Sequence, residues 1–122
     1  MILALLILAA QTAGVPQTSA PHGAVAPSGS GAELVVQCVA AEGMALGSAS
    51  ANGEQVEKGG LCIGYVDGYV DGAKKDMCIP PHSLMAVIDS YLQYMTKNPK
   101  YYDMPKAAGL RAAIDANFPC GK

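Results

Sequence analysis

Neither a basic cluster nor a run of aromatic residues occurs anywhere in the 122 residues. That removes the positive footprint and the stacking platforms with which proteins hold nucleic acid. A Cys-x-x-Cys pair is also missing, and the four cysteines fall at intervals of 24, 16 and 42 residues. Such spacing matches neither a zinc site nor a redox dithiol nor haem attachment, but suits a disulfide frame. Histidine is scarce, with only His22 and His82. His82 stands between Pro80-Pro81 and a helix start, where a surface or capping role is expected. Pairing it with Cys78 as a nucleophile would require a free thiol. Asp67, Asp71 and Asp76 lack the alternating oxygen ligands and closing glutamate of a calcium loop. On an exposed helix face they would also lack the burial that splits an acid from a base. The sequence therefore offers no catalytic, cofactor-binding or metal-binding residues, and the chain reads as a non-enzyme.

What is present begins with an unbroken apolar run, Ile2 to Ala10, and no charged side chain occurs before Glu33. Nine residues are too few to cross a hydrocarbon core of about 30 Å, so the run reads as the core of a secretory signal within residues 1–20. Cleavage fits after Ala10, Gly14 or Ala20, and no membrane association is expected afterwards. A buried apolar helix of a cytosolic protein is the alternative. Residues 21–30 are poor in anything that can bury area and read as a flexible tether, with His22 solvated in it. Residues 31–122 form the domain. An even number of cysteines in a domain this small fits an oxidising compartment, where disulfides supplement a marginal core.

The domain reads as all-α, a compact bundle of about four helices braced by two disulfides. Ser30 and Glu33 have capping-box spacing, predicting a helix from Gly31 to Glu42 that buries Leu34, Cys38 and Ala41 and stops at Gly43. Residues 43–60 read mostly as loop, with Met44 to Ala51 as a weak extension. A central helix follows from Gly60 to Lys75, with Cys62, Val66, Tyr69, Ala73 and Met77 on one face. Gly64, Gly68 and Gly72 form a bare stripe on it, expected to receive a neighbouring helix closely enough to offset their poor propensity. Reading each Asp-Gly as a hairpin turn instead leaves strands too short to pair. Asp71 and Lys75 have ion-pair spacing. Leu84, Val87, Ile88, Tyr91, Leu92 and Met95 predict a third helix with Ser83 as its cap, ended by Asn98-Pro99. Asp103 is expected to cap a fourth, burying Ala107, Leu110, Ile114 and Phe118 and ended by Pro119.

Cys62 and Cys78 lie about 20 Å apart along a helical path and cannot pair, since a disulfide needs Cα atoms within about 7 Å. A hairpin of the last two helices brings Cys78 to Cys120 and leaves Cys38 for Cys62. Pairing Cys38 with Cys78 and Cys62 with Cys120 stays open. Tyr101 and Tyr102, in a turn beside Lys97 and Lys100, read either as core or as an exposed aromatic contact. As the latter, these four residues are the candidate partner-binding set.

Taken in order, Cys38, Cys62-x-Gly64-Tyr65-Val66-x-Gly68, Cys78-Ile79-Pro80, Tyr91-Leu92 with Asn98-Pro99, and Phe118-Pro119-Cys120 resemble the Rap/Tai family of type VI secretion immunity proteins. The resemblance spans Gly31 to Cys120. It implies a periplasmic all-helical protein whose partner is a cognate peptidoglycan amidase effector, occluded by contact alone, and it allows a homodimer. Cys38, Cys62, Cys78, Cys120, Gly64, Pro80 and Pro119 would be framework positions, and effector contacts would vary with the toxin. Two other classes fit an exported helical domain. A periplasmic stress chaperone would be recognised by client protection at low pH, and a cell-wall enzyme would need a catalytic group in a cleft, for which no candidate stands out.

Overall fold

The computed structural model describes residues 25–47 and 52–121. The expected signal, most of the expected tether and His22 lie outside them. The described residues form four α-helices, α1 (Gly31–Ala45), α2 (Gly53–Ala73), α3 (Leu84–Lys97) and α4 (Lys106–Asn117), with 3₁₀ turns at Lys74–Asp76 and Pro99–Asp103. Both disulfides join the expected partners, Cys38 with Cys62 and Cys78 with Cys120.

Helix α1 starts as its capping residues dictate. The Glu33 N–H donates to Ser30 Oγ at 3.2 Å, and Glu33 Oε1 accepts from the Gly29 N–H at 2.8 Å, one residue earlier than in the simple box. Gly43 does not end the helix, contrary to the expectation. The chain turns off at Gly47, whose φ of +75° suits glycine and whose N–H donates to the Met44 carbonyl. Helix α2 likewise begins at Gly53 and not at Gly60. Asn52 caps it by accepting from the Gln55 N–H at 2.9 Å, and a Lys58–Glu54 ion pair at 2.9 Å supports the first turn. Much of the segment read as loop is therefore helix.

Antiparallel α1 and α2 approach at Gly59, where an added Cβ would meet Met44 Sδ and lie 3.2 Å from Ala41 Cα. Gly64, Gly68 and Gly72, expected to supply this approach, have nothing within 4 Å of such a Cβ and face open space. The expectation fails because every i,i+4 stripe of glycines permits a neighbour, while only the position of the apolar stripe decides where the neighbour lies. In α2 Cys62 and Val66 are fully buried, and they turn the glycines outward. Gly64 thus has no close neighbour to account for a framework role.

Antiparallel α3 and α4 pack with Val87, Ile88, Tyr91 and Met95 against Leu110, Ala113 and Ile114. Ala107 and Phe118 are only half-buried. Ser83 does not cap α3 with its side chain, because its hydroxyl donates to the Pro80 carbonyl at 2.7 Å. Asp103 does not cap α4 either. It ends the preceding 3₁₀ turn, and Pro105 occupies the position before the helix. Asp71 pairs with Lys74 at 3.4 Å and not with Lys75.

The two hairpins are joined at one end by backbone. Gly31 N–H donates to the Met104 carbonyl and Lys106 N–H to the Gly29 carbonyl, both at 2.9 Å, around an isolated bridge of Ser30 with Pro105. Across this junction the buried Tyr91 hydroxyl donates to the Gly31 carbonyl at 3.2 Å. Burial pushes its ionisation well above the ordinary phenol range, and nearby tyrosines add to this. Between α2 and α4 the contact is polar over aromatic: Lys106 Nζ sits 4.2 Å from the Tyr65 ring centre.

Candidate functional site

The side chains of the described residues build several distinct surface features. Among the described residues no three His, Cys, Asp or Glu side chains converge as a metal site. No helix among them is long and apolar enough to cross a membrane. Three surface features remain, and each is positioned by a different part of the bundle.

The first is the turn from Lys97 to Met104, which holds the residues expected to bind a partner. Lys97 and Lys100 are exposed, whereas Tyr101 and Tyr102 are half-buried and rest on the core. Tyr101 has structural duties. Its ring lies 5.8 Å from that of Tyr94, and its backbone carbonyl lies where a Cβ on Gly31 would be. A hydrogen bond with Tyr101, followed by burial, holds Tyr94 above the usual phenol range. Lys100 Nζ stands 5.3 Å from the Tyr101 ring centre, so the turn presents a cation beside an aromatic ring, with Met104 also exposed.

The second is an open cleft of about 560 Å³ between α2 and the loop leading into α3. Val70, Ile79 and Leu84 give it an apolar floor, and Asp67, Asp71 and His82 stand at its edge. His82 has φ +61°, a left-handed conformation that non-glycine residues adopt at a cost of about 1–3 kcal/mol. The Ser83–Pro80 hydrogen bond and the exposed Cys78–Cys120 bridge hold the loop around it. Asp67, Asp71 and Asp76 are exposed.

The third was missed by sequence reasoning. A groove of about 440 Å³ between the end of α1 and the start of α3 brings Glu42 to Asp89. Burial, a hydrogen bond with Asp89 and repulsion from Asp89, in that order, raise Glu42 above the ordinary carboxylate range. The two residues are far apart in sequence, and nothing in either local pattern signals that they meet.

Helix α1 is also unusual for a surface helix. Its only charged residues are Glu33 and Glu42, and its outer side leaves Val36 and Val39 about half exposed. Helices apolar on every side are normally covered. Exposed apolar surface of this kind suits recognition of a partner.

The model of one family, the Rap1a immunity proteins, matches residues 30–120, the span from the cap of α1 to the last cysteine. Nothing matches this chain among curated proteins, nor among solved structures. The match runs over all four helices and both disulfides, so the chain belongs to the family of Rap1a immunity proteins.

Proposed function

We propose that this chain is a periplasmic immunity protein that binds a peptidoglycan-cleaving amidase effector of a type VI secretion system. It blocks the effector's active-site cleft by contact, with no chemistry of its own. The family match over residues 30–120 carries the reading. Two disulfides and the apolar run Ile2 to Ala10 support export to an oxidising compartment, where peptidoglycan and such an effector would meet.

The turn from Lys97 to Met104 is the proposed effector contact. Because Tyr101 and Tyr102 also support the core, its test falls on the lysines. Lys97→Glu with Lys100→Glu should lower the association rate roughly tenfold at low salt while the thermal midpoint stays unchanged. The function itself is tested by co-expressing the exported domain with amidase effectors in the periplasm of a susceptible cell. Rescue from lysis with recovery of a stable complex is expected. Lysis unaffected by the domain, for every amidase that kills the host, would overturn the proposal.

A further inference from the structure

Nothing in the fold uses the groove between α1 and α3. Its walls are Ala45, Leu46, Met85 and Ala86, and its only charged lining groups are Glu42 and Asp89. Leu46 is 86% exposed and Met85 37%, an arrangement that burying neither of them explains. The two carboxyl groups come from different helices, yet line the same groove. Among the described residues no ion pair engages either group. Asp89 Oδ2 accepts from the Gln93 Nε2 amide, at 2.8 Å. Glu42 also lies in the last turn of α1, where no basic residue offsets the negative end of the helix dipole. Two carboxylates and a helix C-terminus thus direct negative potential into one apolar slot.

Beside the groove runs the exposed side of α3. Met85, Asp89, Gln93 and Lys97 recur every four residues, and all four are exposed. This stripe links the acidic groove to the lysine-bearing turn at the far end of the helix. A helix of 14 residues spans about 21 Å, within the width of a face of about 800 Å² that one partner buries in a stable complex.

We infer that the groove is a docking site for a lysine or arginine side chain of the effector. The methylenes would lie along Leu46 and Met85, and the charged head between Glu42 and Asp89. The inference rests on the reading of the partner as an effector. It adds the partner's chemistry: a basic residue with an apolar neighbour at one end of the contact and acidic residues facing Lys97 and Lys100 at the other. Opposite charge at the two ends of α3 fixes the direction in which the partner lies, because the reversed pose would set like charges together.

The test uses two probes. In the first, affinity for the effector is measured for the wild type and for Glu42→Gln with Asp89→Asn, which keep the groove's shape. At least a tenfold loss, with a weaker dependence on salt, is expected. Equal affinity would overturn the docking site while leaving the immunity function intact, and so would a change in self-association alone. In the second, the capped peptide Leu-Arg-Leu is titrated into the labelled wild-type protein by NMR. Saturable shifts confined to residues 42–46 and 85–93 are expected, absent for Leu-Gln-Leu and abolished in the double variant. If no amidase binds the wild type, the proposed function fails, and the peptide result then decides the groove alone. The same shifts on adding calcium chloride, with none for the peptide, would make it an ion site and overturn the inference.

Discussion

Replacing Gly64, Gly68 and Gly72 together by alanine should stabilise the protein by about 2.5–3 kcal/mol. All three lie inside α2, none has a positive φ, and a Cβ at each would meet nothing within 4 Å. Each glycine therefore costs its full propensity deficit of about 0.8–1.0 kcal/mol relative to alanine, with no packing to offset it. For a domain of about 90 residues this corresponds to a rise in thermal midpoint of roughly 10–20 °C. The control is Gly59→Ala in the same helix. Its propensity gain is equal, but the new methyl would press on Met44 Sδ and on the Ala41 backbone, 3.2 Å away. That backbone cannot retreat freely, because the Cys38–Cys62 bridge lies one turn away. Overpacking costs typically about 1–3 kcal/mol, so this variant should be no more stable than the wild type, or less stable. Thermal and urea unfolding of the oxidised proteins, followed by far-ultraviolet circular dichroism, separates the two outcomes. A triple variant no more stable than the wild type would refute the outward orientation of the stripe. A midpoint that rises with protein concentration only in the wild type would point to a copy of the chain covering it.

Mild reductant should open Cys78–Cys120, whose sulfurs belong to exposed residues, before the fully buried Cys38–Cys62. Alkylation followed by mass spectrometry reads the order, and simultaneous release from a protein that remains folded would contradict it. Loops of 42 and 24 residues correspond to about 4 and 3.5 kcal/mol of chain entropy, so full reduction should cost much of the stability. Tyr91→Phe should cost about 1 kcal/mol by removing the hydrogen bond to Gly31. Since folding raises the ionisation of Tyr91, the native state keeps a proton that the unfolded chain loses. Stability should therefore fall as pH rises past about 10, and less so in the phenylalanine variant. Glu42 follows the same sign. Folding raises it above the ordinary carboxylate range, so its contribution to stability declines as pH rises through that range, and Glu42→Gln should melt higher than the wild type at pH near 7. That advantage should shrink as pH falls toward about 4, and an advantage independent of pH would refute the carboxylate pair.

The limits of reading this chain from its residues show most clearly in α2. Its core side follows from helical periodicity through Cys62 and Val66, but its start was misplaced because Gly53, Gly59 and Gly60 look like loop composition. Asn52 and Gln55 carry the cap-to-N3 spacing that marks the true start. At the other helix starts, Ser83 and Asp103 have capping chemistry, yet Ser83 at the cap position does not use its side chain and Pro105 takes the cap position that Asp103 was expected to hold. Propensity identifies what a residue can do, and competing local geometry decides whether it does. For Ser83 the competitor is the Pro80 carbonyl.

Local information was sufficient for what repeats or terminates within a few residues: four helices, their buried stripes, and the exclusion of Cys62 from Cys78. With those stripes in place an antiparallel hairpin of α3 and α4 favoured Cys78 with Cys120 and Cys38 with Cys62, and the tertiary structure decided against the other open pairing. The ordered cysteine, glycine and proline motifs also carried the family. Tertiary packing alone decided three further features: that the glycine stripe faces outward, that Tyr101 and Tyr102 are partly taken up by the core, and that Glu42 meets Asp89. The reason is common to all three. Helical periodicity specifies which side of a helix is apolar but not which neighbour meets it, and groups 47 residues apart become adjacent only when two helices dock.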